Sequence, residues 1–275
     1  MSTLHKHLLI MAAGTGGHIF PGLAIAQTMQ ARGWRVSWLG TTHGMERGIV
    51  AQHGIEMDLI EFAGLRGKGV MHMFSGAAKM LASFAACFRI LGHRKPDVVL
   101  GMGGYVTVPG GLISKLRGIP LALVNADASL LLSNKILRPI ARRVLFGLPE
   151  KSDQISSKAQ VVGNPIRTDI LALPLPAERY ATHSGALRLL VVGGSLGAKA
   201  LNECLPNALA RIPSAVRPVV THQSGKQHIA ALRAAYAKVQ VQAEVVDFIE
   251  DMPRRYADAD LVICRAGAIT VSELN

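Results

Sequence analysis

The fold is decided by the stretch His7-Leu8-Leu9-Ile10-Met11-Ala12-Ala13, which runs into Gly14-Thr15-Gly16-Gly17-His18. A second stretch repeats the pattern, with Leu187-Arg188-Leu189-Leu190-Val191-Val192 before Gly193-Gly194-Ser195-Leu196-Gly197. A strand that ends in glycines and turns into a helix directs free backbone N–H groups at a ligand, an arrangement that suits phosphate. Two such units predict two nucleotide-binding-type domains that face one cleft, rather than a single cofactor fold.

Short apolar runs alternate with helical patterns along the whole chain, which predicts an α/β protein with parallel sheets covered on both faces. The glycine turns then lie at the carboxyl edge of each sheet, where ligands bind. Prolines in the middle of the chain predict a domain of residues 1–163, a linker of residues 164–185 and a second domain of residues 186–275. Further strands are expected at Val36–Leu39, Glu56–Ile60, Asp97–Leu100, Leu121–Val124, Val144–Phe146, Gln160–Val162, Val216–Val220, Val241–Val246 and Leu261–Cys264, and helices at Pro21–Arg32, Met71–His93 and Gln227–Val239.

The amino-acid composition and the net charge exclude several classes of protein. Aromatic residues make up only 5% of the 275 residues, and the three cysteines are far apart, which argues against a disulfide framework or zinc site and fits a reducing cytosol. The net charge is +12, and residues 1–150 carry 16 Lys and Arg against 7 Asp and Glu. A basic first half predicts an anionic partner there. Nucleic acid is disfavoured, because no nucleic-acid motif is present and aromatic residues are few.

The two ends of the chain carry expectations of their own. The first residues lead into a strand without the architecture of a signal peptide, and no apolar run approaches the ~20 residues that span a bilayer. The last residues, 268–275, begin a helix that is followed by no further strand. We expect the second domain to be truncated.

Neither glycine loop matches a standard nucleotide fingerprint. Ile19 stands where the dinucleotide motif needs its third glycine, and the loop at Gly193 lacks the lysine of a P-loop. Each loop alone could be a tight strand–helix connection. His18, at the start of the first helix, is a candidate proton acceptor, with a structural role as the alternative.

Two more glycine-rich segments in the first half are candidate anion sites. Gly101-Met102-Gly103-Gly104-Tyr105 reads as a third glycine turn after a strand, and the basic loop Gly64-Leu65-Arg66-Gly67-Lys68-Gly69 suits a phosphate-bearing substrate or is a solvated surface loop. The segment Met71–Lys95 combines bulky apolar residues with cations. It is either a core helix or a helix that rests on an anionic bilayer surface, with Arg138, Arg142 and Arg143 adding charge.

These motifs, in this order, resemble those of the MurG family of peptidoglycan glycosyltransferases, glycosyltransferase family 28. The resemblance extends over the whole chain and includes the segments Gly14–Pro21, Gly64–Gly69, Gly101–Tyr105, Gly163–Arg167, Gly193–Ala198, His222–Lys226 and Cys264–Glu273. It implies the GT-B fold, in which two Rossmann-like domains face an interdomain cleft. The acceptor lipid would bind the first domain, and UDP-N-acetylglucosamine mainly the second.

The resemblance also implies the reaction and its residues. The C4 hydroxyl of the muramyl sugar of lipid I would displace UDP in one inverting step, giving a β-1,4 link and lipid II. His18 would be catalytic, as the proton acceptor or as the group that orients the hydroxyl, while Arg66, Lys68, Gly103, Gly104 and Tyr105 would hold the acceptor. No metal and no cofactor are implied, and the enzyme would sit peripherally on an anionic membrane, at the cytoplasmic face of the inner membrane. Donor contacts would come from Thr15, Gly16, Gly17, Arg167, Ser195, Ile249, Ala268, Ile269, Thr270, Val271, Ser272 and Glu273.

One departure from the family pattern concerns position 125. The family commonly has His-Glu-Gln-Asn where this chain reads Val124-Asn125-Ala126-Asp127. Positions two apart point the same way in extended backbone, so we hypothesise that Asp127 takes over part of the missing carboxylate's role, as a catalytic and donor-binding residue.

Two rival interpretations remain at this point. A UDP-N-acetylglucosamine 2-epimerase shares the architecture and the donor but needs no membrane helix. A nucleotide-binding regulatory module would use both glycine loops only to sense a ligand.

Overall fold

The computed structural model describes residues 6–61, 70–149, 157–181, 183–265 and 267–275, with the backbone alone for residues 70–78. The chain divides into two compact units, Met1–Arg167 and Thr168–Asn275. Each unit has its own parallel sheet, so the two glycine loops belong to separate sheets, as the sequence predicts.

The first unit is built on a seven-stranded parallel sheet with the order β3-β2-β1-β4-β5-β6-β7. This order places β1 inside the sheet, and all six of its side chains are buried, which explains its near-continuous apolar sequence. The strands are β1 (His7–Ala12), β2 (Arg35–Thr41), β3 (Glu56–Ile60), β4 (Val98–Gly103), β5 (Leu121–Asn125), β6 (Arg143–Phe146) and β7 (Ala159–Val161).

Helices connect these strands and cover both faces of the sheet with two apolar clusters. One cluster includes Leu9, Leu39 and Leu123, and the other includes Ile10, Trp38 and Leu100. The alternation along β1 and β2 places neighbouring side chains in opposite clusters. The helices are α1 (Gly16–Ala31), α2 (Glu46–Gln52), α3 (Val70–Arg94), α4 (Thr107–Leu116) and α5 (Leu132–Leu137).

The second unit contains a four-stranded parallel sheet with the order β10-β9-β8-β11. Its core joins β8 and β9 to the helices through Val191, Leu209 and Leu232. The strands are β8 (Arg188–Val192), β9 (Val219–Gln223), β10 (Glu244–Val246) and β11 (Leu261–Cys264). The helices are α6 (Thr168–Leu171), α7 (Pro176–Ala181), α8 (Lys199–Ala210), α9 (Ile229–Lys238), α10 (Met252–Asp258) and α11 (Ala268–Leu274), and Ser214–Val216 forms a 3-10 turn.

Three expected boundaries are wrong. The strand expected from Val216 begins at Val219, because Pro218 has no N–H to give to a ladder. The strand expected from Val241 begins at Glu244, since the Val241 N–H instead donates to the carbonyl of Tyr236 and closes α9. The third glycine run is not wholly a turn, because β4 continues through Gly103.

The segment 164–185 holds the two short helices α6 and α7, and the division between the units falls within it, after Arg167. Across the described part of the chain, no helix has the length and apolar character that crossing a membrane requires.

Candidate functional site

Hydrogen bonds from β2 and to α2 hold the first glycine loop in place before α1 begins. The indole Nε1 of Trp38 donates to the carbonyl of Ala12 at 3.0 Å, and the N–H of Gly14 donates to Oε2 of Glu46 at 3.3 Å. Thr15 is the extended N-cap residue of α1, and Gly16 and Gly17 follow it. The first N–H groups of a helix have no intrahelical acceptor, so these two glycines present donors at the carboxyl edge of the sheet.

His18 lies in the first turn of α1 and is partly buried. Its Nδ1 is 3.2 Å from the carbonyl oxygen of Ala13. A carbonyl oxygen only accepts, so Nδ1 carries the proton in this contact and Nε2 of the neutral ring has a free lone pair. On the other edge of the ring, a side chain at Gly103 would approach Cδ2 and Nε2 to 2.8 Å. The missing side chain at Gly103 therefore leaves room at the basic nitrogen.

The surroundings of His18 favour its neutral form. Burial lowers its pKa below the ordinary value of 6.5, while the hydrogen bond to Ala13 and the charge of Asp127 act in the opposite direction. An imidazole that stays neutral near pH 7, with Nε2 as acceptor, can receive a proton from an attacking hydroxyl.

The third glycine run packs directly against the first loop. Gly104 has φ of +90°, and a Cβ there would lie 2.3 Å from the carbonyl oxygen of Ala13. Only glycine combines this backbone conformation with so close an approach. Tyr105 follows with 54% of its surface exposed, so a polar aromatic side chain lies next to the two glycine loops.

Asp127 does not lie in line with Asn125 along an extended strand, so the geometric basis of the hypothesis for Asp127 is wrong. β5 ends at Asn125 and the chain bends, so the two residues do not alternate along an extended strand. Asn125 is fully buried and donates to the backbone carbonyls of Asp127 (2.6 Å) and Ser129 (3.1 Å). Its Oδ1 accepts from the Leu131 N–H and the Asn134 amide. Asn125 thus shapes the loop, and the exposed Asp127 is near enough to His18 to act on its charge.

Arg167 is the last residue of the first unit. Its guanidinium lies 4.9 Å from the ring centroid of Phe20, which follows the first loop on α1. Nearby, the Asn164 amide donates to the carbonyl of Ala126 at 3.2 Å. The motif Gly163–Arg167 is therefore packed against elements that carry His18 and Asp127.

In the second unit, Ser195 lies in a tight turn between β8 and α8. The Gly197 N–H donates to the Gly194 carbonyl at 2.8 Å, and the amide of Gln223 donates to the same oxygen at 3.2 Å. A side chain at Gly197 would meet the Ser224 carbonyl at 2.0 Å, so the loop packs tightly on the end of β9. Ser195 is only partly buried, which leaves its hydroxyl accessible beside the backbone N–H groups of the turn.

The remaining donor-side candidates are Ile249 and the residues of α11. Ile249 is 6% exposed, so it is packed inside the second unit. α11 carries Ala268, Ile269, Thr270, Val271, Ser272 and Glu273. Of these, Ser272 donates to the Ala268 carbonyl, and Glu273 accepts a 3.3 Å hydrogen bond from the phenol of Tyr256. Tyr256 is buried, so it holds the Glu273 carboxylate from one side.

Two predicted acceptor residues, Arg66 and Lys68, lie outside the described residues. Sequence reasoning missed Glu46 and the organising role of Asn125. A signal for Glu46 was present, because a carboxylate soon after the second strand is a familiar feature of Rossmann-like units. Within the described ranges, no three His, Cys, Asp or Glu side chains converge as a metal site requires.

Comparison with known families matches both units. Residues 8–146 match the glycosyltransferase family 28 N-terminal domain, and residues 188–275 match the glycosyltransferase family 28 C-terminal domain. The chain is 70% identical over 269 residues to the UDP-N-acetylglucosamine–N-acetylmuramyl-(pentapeptide) pyrophosphoryl-undecaprenol N-acetylglucosamine transferase of Janthinobacterium sp. (strain Marseille). It is 71% identical to the enzyme of the same name from Herminiimonas arsenicoxydans. Each alignment covers 98% of this chain and 75% of the relative.

The chain is also similar in structure to solved proteins. The crystal structure of Acinetobacter baumannii MurG matches with a TM-score of 0.71 and 39% identity, over 98% of this chain and 75% of that one. A UDP-GlcNAc 2-epimerase from Neisseria meningitidis matches with a TM-score of 0.64 over 98% of this chain and 79% of that one. Its identity is only 13%, so this likeness concerns the fold alone.

Proposed function

Because the chain belongs to glycosyltransferase family 28, we infer that it transfers N-acetylglucosamine from UDP-N-acetylglucosamine to the C4 hydroxyl of the muramyl sugar of lipid I. The product is lipid II, the lipid-linked disaccharide used in peptidoglycan synthesis. The single observation that carries this function is the 70% identity to a transferase of that name over 98% of the chain. The 2-epimerase interpretation has only a likeness of fold behind it.

The geometry around His18 supports a role for it as the proton acceptor. The C4 oxygen attacks the anomeric carbon of the donor, the bond from that carbon to the diphosphate breaks, and UDP leaves. The proton of the attacking hydroxyl passes to Nε2 of His18, which is the free basic nitrogen when Nδ1 donates to Ala13. Attack from the face opposite the leaving group inverts the anomeric centre.

We assign the remaining residues by their placement. Gly103 and Gly104 pack against His18 and the first loop, so with the adjacent Tyr105 they would position the acceptor. Arg66 and Lys68 lie outside the described residues, and their proposed role with the acceptor rests on the family motif alone. On the second unit, Ser195 and the N–H groups of its turn would bind the departing diphosphate. Glu273, held from one side by Tyr256, would accept hydrogen bonds from the ribose hydroxyls. Each of these is an assignment of role for mutagenesis to test.

Replacing His18 tests the role of the base. His18→Gln should lower kcat by about 10²- to 10⁴-fold, the usual contribution of a general base, and leave the KM for UDP-N-acetylglucosamine within a few-fold. His53→Gln is the matched control, because His53 is an exposed histidine whose Nδ1 also contacts a backbone carbonyl, that of Ile49. A His18→Gln enzyme with wild-type kcat would remove His18 from the mechanism without touching the assignment to the family.

We further propose that α3 and α4 hold the enzyme on an anionic membrane surface at the cytoplasmic face. These helices pack together, and large apolar side chains point outward from both: Leu81 (68% exposed), Phe88 (47%) and Leu116 (71%). Arg117 lies 3.9 Å from the Phe88 ring centroid, so a cation accompanies the apolar patch. A cavity of about 500 Å³ lined by Lys115, Arg142, Arg143 and Lys158 adds a place for lipid phosphate. Apolar residues beside clustered cations favour peripheral binding to anionic lipid.

Vesicle sedimentation tests the membrane proposal. The triple variant Leu81→Ser, Phe88→Ser, Leu116→Ser should bind vesicles of phosphatidylglycerol and phosphatidylcholine about a hundredfold more weakly, since three lost apolar contacts at ~1 kcal/mol each sum to ~3 kcal/mol. The double variant Leu171→Ser, Leu175→Ser is the control, because both leucines are exposed on the second unit. Equal loss in both variants would contradict the proposal.

A further inference from the structure

Glu46 is a fully buried carboxylate that the proposed reaction does not use. Its Oε1 accepts hydrogen bonds from the Thr41 N–H at 2.8 Å and the Thr41 hydroxyl at 2.6 Å. Its Oε2 accepts from the Gly14 N–H at 3.3 Å. A side chain at Gly44 would lie 2.1 Å from both carboxylate oxygens, so the chain leaves room for this group. A buried carboxylate is retained only where its hydrogen bonds compensate its desolvation.

The contact with Gly14 reaches His18 through a single peptide group. The Gly14 N–H and the Ala13 carbonyl are the two ends of the same planar amide. Glu46 accepts from the N–H end, and the carbonyl end accepts from Nδ1 of His18 at 3.2 Å. Gly104 is packed against this carbonyl, which limits how far the amide can rotate.

We propose that Glu46 is a positioning residue for His18 that acts through the Ala13–Gly14 peptide. A negative charge at the N–H end polarises the amide and makes its carbonyl a stronger acceptor, because hydrogen bonds in a chain strengthen one another by about 10–30%. The stronger acceptor keeps the proton on Nδ1 and leaves Nε2 free for the substrate hydroxyl. The catalytic consequence rests on the proposed role of His18, whereas the effect on its tautomer does not.

A merely structural role for Glu46 is the alternative. Its bonds to Thr41 tie the end of β2 to the start of α2, and losing them would loosen that connection. Thr41→Val separates the two roles, since it removes the hydroxyl donor and keeps the carboxylate near Gly14. Asp127 is the charged side chain that acts on His18 in the described part of the chain, and it is unchanged in both variants.

Nitrogen-15 NMR of histidine-labelled protein measures the tautomer without any substrate, with His18→Gln used to assign the His18 signals. In the wild type at pH 8, His18 should be mainly the Nδ1–H tautomer, and the Gly14 amide should exchange with solvent more slowly than that of Gly17. Glu46→Gln should shift His18 toward the Nε2–H tautomer, and Thr41→Val should not. In enzyme assays, kcat should fall about two- to twentyfold in Glu46→Gln, with the KM for UDP-N-acetylglucosamine within twofold, because losing 10–30% of one hydrogen bond's strength away from water changes a rate by about that factor.

Two results would overturn the proposal. One is a Gly14 amide that exchanges as fast as the Gly17 amide in the wild type, a measurement that remains available if Glu46→Gln does not fold. The other is a folded Glu46→Gln variant whose His18 tautomer matches that of Thr41→Val. If the His18 tautomer shifts but kcat does not fall, the positioning effect of Glu46 on His18 stands and the assignment of His18 as the base fails.

Discussion

The buried amide of Asn125 gives the sharpest stability prediction for the first unit. Asn125→Ala removes four hydrogen bonds, namely those to the carbonyls of Asp127 and Ser129 and those from Leu131 and Asn134. At about 1 kcal/mol for each net hydrogen bond, less where water reaches the loop carbonyls, we expect a loss of roughly 2–4 kcal/mol. For a unit of this size that loss lowers Tm by roughly 4–16 °C.

Two further variants make the Asn125 test specific. Asn125→Asp keeps acceptors for Leu131 and Asn134 but turns a carboxylate oxygen toward two carbonyls, so it should also destabilise. Asp127→Asn is the control, because Asn125 contacts only the backbone carbonyl of Asp127. The Tm of the Asp127→Asn variant should stay within about 2 °C of the wild type, as expected of a surface substitution. Thermal unfolding followed by circular dichroism measures all three. An Asn125→Ala protein with the wild-type Tm would refute the view that this residue shapes the loop.

Three more predictions concern protonation and packing. Burial lowers the pKa of His18, so the acid limb of the pH profile of kcat/KM should have its midpoint below pH 6.5. Asp127→Asn removes a charge that raises this pKa, so the midpoint should move to still lower pH. A midpoint that moves to higher pH in Asp127→Asn would contradict this prediction. His222 is fully buried, with Nδ1 at 2.9 Å from the Tyr236 hydroxyl, and burial lowers its pKa to about 4. Because this pKa is depressed in the folded state, the contribution of neutral His222 to stability is complete above pH 6.5 and declines as the pH falls toward 4. In urea unfolding, the free energy of unfolding should be ~2–3 kcal/mol lower at pH 4.5, and His222→Gln should lose about 2 kcal/mol less over the same range. Parallel pH profiles of the two proteins would contradict a buried, neutral His222. Gly104→Ala should lower the free energy of unfolding by at least about 1–3 kcal/mol, because it combines a φ of +90° with a Cβ 2.3 Å from the carbonyl oxygen of Ala13. Gly118→Ala is the control, because φ there is +71° but nothing lies within 4 Å of the Cβ, and its loss of unfolding free energy should be clearly smaller.

Much of the fold could be predicted from local pattern. The apolar runs at β1 and β8, each followed by glycines, gave the two sheets and the ends of both strands within a residue or two. Strands buried on both faces are almost continuously apolar, so such runs are visible without knowledge of the partners. The errors at Val216 and Val241 arose where an apolar run continued past the hydrogen bonds that define the strand.

The site was less accessible to sequence reasoning because its contacts are long-range. His18 could be proposed from its place after the first loop, but its tautomer depends on the carbonyl of Ala13 and its free edge on Gly103. Glu46 contacts Gly14 from 32 positions away; its place soon after β2 marks it as a candidate, but the sequence does not show which N–H group it accepts from. The hypothesis for Asp127 assumed an extended backbone, and that assumption failed where the buried Asn125 bends the loop.

Transfer of a sugar from a nucleotide to a lipid is the activity on which every role assigned above depends. It is measured by incubating the protein with UDP-N-acetylglucosamine labelled in the sugar and a lipid I analogue, followed by separation of the lipid and aqueous phases. Label should enter the lipid as a β-1,4-linked disaccharide with release of one UDP per sugar, and His18→Gln should slow this transfer. Label that stays in the aqueous phase as an epimerised sugar, or as unchanged UDP-N-acetylglucosamine, would contradict it.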